Sequence, residues 1–416
     1  MAFKDFYNFV FYLSTFSFTR NYVVGRITLF LIILLSRPIL RSKYEHVKNV
    51  FKKKKSTTEL LQDLINHVLQ DLQVVKHFLD VKPEDVNSIM KEEGFTPLHI
   101  AACIGSEDIC NYLLQNGADV NARNNEGFTP LTCAMNVKIV RILIHNGANV
   151  NAENKYGWTA LHDSAYFNLH KKVEVLLKNG AEINAETKNR NTPLHISAHK
   201  GHFEVSEVLI KYGANLGAQK AHNNSAPLHL CVFAGHKEIV QLLISNGANI
   251  NALANGFSPL LIAVQEKNIE IAKYLLENGA DINVKLSNGY NVLHKAVRKG
   301  DEDMVKMLIA YGVNMEAKHN HWQSPLHDAI LFLDKTTIFE VLIANGANVN
   351  VKTQIGESLL HYAIERDKYD FVKILIETDT LKMVKNMDGK TPMEVVFSKN
   401  DMKTMKLMML QSKDRS

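Results

Sequence analysis

The sequence predicts an all-α fold, a solenoid of stacked helix-turn-helix units joined by β-hairpin loops, and three observations predict it. A block recurs: Gly94 to Asn121 reads Gly-Phe-Thr-Pro-Leu-His-Ile-Ala-Ala-Cys-Ile-Gly and then Ile-Cys-Asn-Tyr-Leu-Leu-Gln-Asn-Gly-Ala-Asp-Val-Asn, and versions of it fill most of the chain. The period holds as well as the words, because His162, His195 and His229 stand 33 and 34 residues apart, as do His294, His327 and His361. Neither helix of one copy carries enough apolar surface to be stable alone, so the copies must stack side by side into one continuous core.

Within the block, Thr96-Pro97 sets a fixed φ where a helix begins, and the Thr side chain can cap it. Small Ala101 and Ala102 let the first helix pack closely, while Ile109, Tyr112, Leu113 and Leu114 form an apolar stripe at helical spacing on the second. Asn116-Gly117 then ends that helix with the residue best able to take positive φ. The unit resembles the ankyrin repeat, whose signature is a Thr-Pro-Leu-His turn, two short helices and a Gly-Ala-Asp-Val-Asn hairpin with a period of roughly 33 residues. The pattern covers about four-fifths of the chain and implies a scaffold for protein partners.

The chain divides into four parts. Residues 1–55 are hydrophobic and then basic, 56–90 form a degenerate amino-terminal capping repeat, 91–385 hold about nine repeats, and 386–416 make a carboxy-terminal cap with a short basic tail. In the first part, Ile27 to Leu35 is almost purely apolar but too short to span a membrane, which takes about 20 residues. Extension to Tyr22–Leu40 brings in Arg26, Arg37 and Pro38, with the arginines near the ends, where they can snorkel. Residues 1–41 therefore fit a membrane anchor or signal-anchor, an organelle-targeting presequence, or an unstructured start. For an anchor, the eight basic residues from Arg37 to Lys55 place the repeats in the cytosol.

Recognisable copies begin near Gly94, Gly127, Gly157, Arg190, Asn224, Gly256, Gly289, Trp322 and Gly356, and a last one opens at Gly389. The second is short, which predicts a truncated first helix. Arg190, Asn224 and Trp322 stand where the pattern has Gly, so those hairpins are expected to need another backbone solution. Leu331 to Thr337 lacks Gly and predicts an altered turn. The final helix carries a methionine stripe, Met402, Met405, Met408 and Met409, read as core filling.

Hydrophobic residues make up 46% of the chain and charged residues 22%, ordinary for a folded protein, so disorder is not the default. The net charge of +5 conceals a split. Eleven Lys and Arg oppose only Asp5 and Glu45 through Lys55, and the tail after Lys399 is also basic, which leaves the repeats net negative. Nucleic acid is therefore not an expected partner. Cys103, Cys110, Cys133 and Cys231 form neither a disulfide framework nor a zinc layout, and suit a reducing compartment.

Catalytic signatures are missing from the sequence: there is no His-Glu-x-x-His, no phosphate-cradling loop and no nucleophile elbow. His99, His162, His195, His229, His294, His327 and His361 are the repeat's own turn histidine, expected to bond to neighbouring hairpin backbone. His319-Asn320-His321 lacks a third ligand. The reading is non-enzymatic, with no cofactor and no metal.

The resemblance implies that partners meet a concave face built from hairpin tips and first helices. Its exposed slots are the residue after the hairpin Gly and the two before the helix-helix turn. In the first three copies these hold Phe95, Cys103, Ile104, Phe128, Trp158, Tyr166 and Phe167. Lys188, Arg190, His199, Lys200, Lys220 and His222 then form a basic stretch, and Tyr290, Arg298, Lys299, Lys318, His321 and Trp322 a mixed aromatic and basic strip. One groove would take a protein segment with apolar anchors at one end and acidic residues beyond. Alternatively, Phe95 and Phe128 lean between hairpins and only stiffen the array.

The whole is expected to be a monomeric, cytoplasmic interaction scaffold or adaptor, with a membrane tether as an added element. Two other readings are a toxin-like or host-directed effector with a membrane-inserting amino terminus, and a substrate adaptor for a modifying enzyme. The hairpins also resemble sites of Asn hydroxylation in ankyrin proteins, at Asn121, Asn151 and Asn251.

Overall fold

The computed structural model describes residues 86–87, 89, 94–378 and 384–413. The hydrophobic and basic segment 1–55, with its anchor, and nearly all of the capping copy 56–90 lie outside the described residues. The described residues belong to one unit, Val86–Ser416.

Among them, twenty α-helices alternate in pairs, and the hairpins contain isolated bridges rather than strands. The first helices of the pairs are α1 (Pro97–Ile104), α3 (Pro130–Cys133), α5 (Ala160–Tyr166), α7 (Pro193–Lys200), α9 (Pro227–Ala234), α11 (Pro259–Gln265), α13 (Val292–Arg298), α15 (Pro325–Phe332), α17 (Leu359–Glu365) and α19 (Pro392–Lys399). The second helices are α2 (Glu107–Gln115), α4 (Val137–His145), α6 (His170–Lys178), α8 (Phe203–Lys211), α10 (Lys237–Ser245), α12 (Ile269–Glu277), α14 (Glu302–Ala310), α16 (Thr337–Ala344), α18 (Tyr369–Glu377) and α20 (Met402–Lys413). Each first helix packs on its own second helix and on the first helices of the adjoining pairs. Leu98, Ala101, Ala102, Ile109, Cys110 and Leu113, and their counterparts in later copies, are buried in that seam. Burying each larger side chain contributes about 1.5–3 kcal/mol, so the core is a sum of neighbour terms with no single centre.

Two hydrogen-bond ladders tie successive copies together. In the first, the turn histidine accepts from the backbone N–H of its own N-cap residue through Nδ1, while Nε2 reaches a carbonyl of the next hairpin. His99 bonds Phe128 at 2.9 Å, His162 bonds Asn191 at 2.9 Å, His195 bonds Ser225 at 3.0 Å and His361 bonds Lys390 at 2.9 Å. In the second, the last Asn of a hairpin accepts from a backbone N–H of the following one: Asn87 from Asp119, Asn121 from Asn149, Asn151 from Glu182, Asn184 from Asn215 and Asn251 from Asp281, all within 2.7–2.8 Å.

The truncated helix predicted in the second copy is the four-residue α3, and its open end is closed from a distance. Lys172 of α6, fully buried, donates from Nζ to the Thr132 carbonyl at 3.1 Å and lies 3.9 Å from the Asp163 carboxylate. His202, His236, Lys368 and Lys399 likewise reach back to carbonyls at the end of the preceding first helix. α15 ends in extended backbone at Leu333, the altered turn expected there.

One expectation fails. Arg190, Asn224 and Trp322 do not adopt another backbone solution but keep the left-handed one, with φ of 56°, 52° and 59°. The turn's own hydrogen bonds hold them, Arg190 N–H to Thr187 at 2.7 Å and Trp322 N–H to His319 at 2.8 Å. Gly289 is different in kind, because a Cβ there would stand 2.8 Å from the Cα of His319. Of the methionine stripe, Met408 is buried and Met405 half-buried, while Met402 and Met409 are exposed.

Candidate protein-binding face

The residue after the hairpin turn and the last residues of the first helix occupy neighbouring places in each copy, so the sequence-selected positions fall into clusters. At the first copy, Phe95 is half-buried and stands edge-on to His99 at 5.6 Å, with Ile104 half-buried and Cys103 exposed. Phe128 is not an exposed anchor: only 4% of it is accessible. Its backbone carbonyl receives His99 of the preceding copy.

The third copy gathers a true cluster. Trp158 and Tyr166 have ring centroids 6.0 Å apart, Tyr166 meets Phe167 edge-on at 5.0 Å, and all three are half-buried. The Lys200 ammonium of the next copy lies 4.6 Å above the Tyr166 ring, a cation–π contact.

The basic stretch is thinner than its composition suggests. Burial holds the His199 imidazole down to about 3, with Lys220 and Lys200 adding repulsion, so it is neutral near pH 7. Burial also lowers Lys220 to about 8. Arg190 is paired to Glu186 at 3.0 Å. Exposed Lys188 and Lys200, with Lys220 still mostly protonated at pH 7, supply the remaining charge.

The richest cluster lies in the seventh to ninth copies. The Arg298 guanidinium stacks 5.0 Å from Tyr290 and 4.0 Å from Phe332, Lys318 lies 5.3 Å over Trp322, and Arg366 lies 3.4 Å over Tyr362. Lys299 and His321 are exposed beside them, and Trp322 and Phe332 are 54% and 43% accessible. Planar cations held on aromatic faces present both charge and apolar area to a partner.

Beneath this surface lies a buried polar group that sequence reasoning did not single out. Asp328 is fully buried with its carboxyl 3.7 Å from His319 Nε2. The His319 ring stacks on Tyr290 at 4.4 Å with an interplanar angle of 11°. Burial pushes the Asp328 carboxyl up to about 7, against the pull of Arg298 and Lys295, and lowers His319. The signal was available in the slot after the turn histidine. It holds Ile100, Ile196 and Leu230 in three copies, but Lys295, Asp328 and Tyr362 in three consecutive ones.

Among the described residues, no three His, Cys, Asp or Glu side chains are placed to hold a metal ion, and no helix is long and apolar enough to cross a membrane.

An array of paired short helices, tied by turn histidines and hairpin asparagines and presenting one decorated face, defines a repeat scaffold. The family model for ankyrin repeats matches residues 64–154, 136–220, 179–254, 217–286, 260–353 and 326–414, and the chain belongs to the ankyrin-repeat family. It is similar over short stretches to several larger proteins. Alpha-latrocrustotoxin-Lt1a of Latrodectus tredecimguttatus is 44% identical over 61 residues, 15% of this chain and 4% of that protein. Diacylglycerol kinase zeta of Rattus norvegicus is 33% identical over 69 residues, 16% of this chain and 7% of that protein. The BTB/POZ domain and ankyrin repeat-containing protein NBCL of Lotus japonicus is 46% identical over 59 residues, 14% of this chain and 12% of that protein. The chain thus spans a small part of each of these relatives. Among solved structures, the ankyrin repeat domain of Bcl-3 aligns at a TM-score of 0.47 and 24% identity, covering 61% of this chain and 100% of that one. As an ankyrin array the chain is a scaffold for protein–protein contacts in the general sense of that family.

Proposed function

We propose that the chain is a non-enzymatic scaffold or adaptor that binds a protein segment along the hairpin and first-helix face, with apolar anchors at Trp158, Tyr166 and Phe167 and acidic residues at Lys200, Arg298, Lys299 and Lys318. One observation carries this reading. Large aromatic side chains, Trp322 and Phe332 above all, remain accessible there with cations, Lys318 and Arg298, stacked on their rings, whereas aromatic residues such as Phe339 and Phe371 are fully buried in the core. Aromatic and Arg side chains dominate binding hot spots, and a basic rim selects acidic partners and speeds encounter.

The test is affinity capture from the native cell with the intact chain, with Trp158→Ala/Phe167→Ala, with Arg298→Glu/Lys318→Glu, and with a control pair on the second helices, Arg141→Glu/Lys178→Glu. The proposal expects a set of proteins retained by the parent and the control and lost from both face variants. Retention by every variant defeats it.

Tethering by residues 1–41 would add a location, with the repeats facing the cytosol. The apolar run Ile27 to Leu35 followed by basic residues supports that reading. Alkaline carbonate extraction decides it, since full release of the intact chain removes the tether.

A further inference from the structure

The fold brings Asp328 and His319 together where the repeat pattern calls for neither. The slot of Asp328 is apolar in the first, fourth and fifth copies and holds Asp163 in the third, where the Lys172 ammonium stands 3.9 Å away, and the hairpin slot of His319 is filled elsewhere by Asn124, Asn154, Thr187 and Thr353. Those Asn side chains accept backbone N–H groups of their own turn, as Asn124 does from Glu126 and Phe128. His319 does the same with Nδ1, which accepts from the His321 N–H at 3.1 Å. The ring proton is thereby placed on Nε2, which faces Asp328 Oδ1 at 3.7 Å. Both side chains are at most 1% accessible, and neither His319 Nε2 nor either Asp328 oxygen has a partner at hydrogen-bond geometry, although the Gln323 carboxamide lies close enough to the imidazole to favour its protonated form.

We propose that Asp328 and His319 form a proton-operated latch between α15 and the hairpin that carries Trp322. With the carboxyl protonated, a neutral acid and a neutral imidazole face one another across a gap too long for a hydrogen bond. When the carboxyl releases its proton to solvent, a buried carboxylate remains with no donor, and leaving it so is costly. The Nε2–H is the donor aimed at it, about one ångström beyond hydrogen-bond length. Closing that distance draws in the imidazole, the Tyr290 ring stacked on it and the His321 backbone bonded to Nδ1. Trp322 is the next residue in the chain, so its surroundings change with the latch.

The groups facing the pair fix the direction. From α13 come Lys295 and Arg298, whose charges favour the carboxylate, and His294, held neutral by burial. From α15 itself comes His327, also neutral. The hairpins supply Tyr290, Lys318, His321 and the Gln323 carboxamide, and the following copy supplies Tyr362, Arg366 and Glu357. The balance of desolvation against these cations puts carboxyl ionisation near pH 7, so the latch closes as pH rises through neutrality and opens as it falls. It acts with or without a partner, although it lies under the proposed binding strip.

The chain has two tryptophans, so Trp158→Phe leaves Trp322 as the sole indole reporter in the full-length protein. Its emission maximum and acrylamide quenching are followed from about pH 5.5 to 8.5, a window spanning His and raised carboxyl titration, with far-UV circular dichroism confirming the fold. The expected result is a one-proton transition centred near pH 7. Adding Asp328→Asn abolishes it, and so does adding His319→Asn, the residue found in that slot at Asn124 and Asn154. Asp328→Ile, after Ile100 and Ile196, serves if the Asn variant does not fold. No transition in the parent overturns the latch, and so does one that persists at the same midpoint without the Asp328 carboxyl.

Discussion

His195 Nε2 lies 3.0 Å from the carbonyl oxygen of Ser225, in the next hairpin, while its Nδ1 accepts the Thr192 N–H at 3.1 Å. One buried ring thus closes the turn of its own copy and clips the following one. His195→Ala should cost about 3 kcal/mol, because it removes two hydrogen bonds, leaves the Thr192 N–H without its acceptor and empties a buried site, while the Ser225 carbonyl keeps only the Lys220 N–H. His327 is the informative contrast, since its Nε2 makes no hydrogen bond. His327→Ala should lose clearly less in urea denaturation, and equal losses at the two sites would contradict the clip.

The same histidines make the array acid-labile. Burial lowers His162 and His294 to about 4 and His195 to about 3. A depressed folded value means that the unfolded chain binds the proton first, so stability is present above about pH 6.5 and is lost progressively as pH falls toward 4. Asp328 works in the opposite sense: its raised folded value contributes stability that is lost as pH rises through about 7. Thermal melts should therefore show Tm falling steeply between pH 6.5 and 4, and His195→Leu should blunt that fall. A Tm independent of pH over this range would refute the account of the turn histidines.

The hairpin ladder has a missing rung that can be restored. Gly217 stands where Asn121, Asn151, Asn184 and Asn251 bond the next hairpin, and its φ is not in the left-handed region. A Cβ at this position meets nothing nearer than Asn215 Oδ1 at 3.6 Å, an ordinary contact. Gly217→Asn should stabilise by about 1–2 kcal/mol, from one hydrogen bond and a less flexible unfolded chain. Ala226→Thr, which gives the fifth copy the cap hydroxyl carried by Thr192, should add about 1 kcal/mol. Denaturant midpoints that move down in both variants would show the ladder to be misread.

Lys172 offers a harsher test. It is 0% accessible, bonds the Thr132 carbonyl at 3.1 Å and sits 3.9 Å from Asp163. Lys172→Met leaves the carbonyl at the end of α3 and a buried acid without their cation, and should cost about 3–5 kcal/mol. Lys172→Met/Asp163→Leu should recover much of that loss. A double variant no more stable than the single one would mean that the cap on α3, and not the ion pair, is what Lys172 supplies.

Much of the fold is written locally, and that part was legible. Thr-Pro-Leu-His, the alanine pairs and Asn-Gly each specify a turn or a cap within a few residues, so the helix pairs and even the shortness of α3 could be read from them. What lay beyond reach depends on neighbours about thirty residues away. Phe128 occupies an exposed slot by register yet is buried. Trp322 keeps a glycine's conformation because the His319 carbonyl holds its N–H. His199 counts as basic by composition, but burial beside Lys220 keeps it neutral. Asp328 and His319 left a trace, each breaking the repeat pattern, but their meeting is a fact of stacking.

Partners are proposed to meet the hairpin and first-helix face. Site-specific photocrosslinking in the native cell is the test, with a photoreactive phenylalanine placed in turn at Phe167, Phe332 and Trp322 on that face, at Tyr112 on the second helix α2 and at Tyr212, which caps the end of α8, both accessible as well. The account predicts protein adducts from the first three positions and few from the other two. Adducts confined to Tyr112 and Tyr212 would contradict it and place binding on the opposite side of the array.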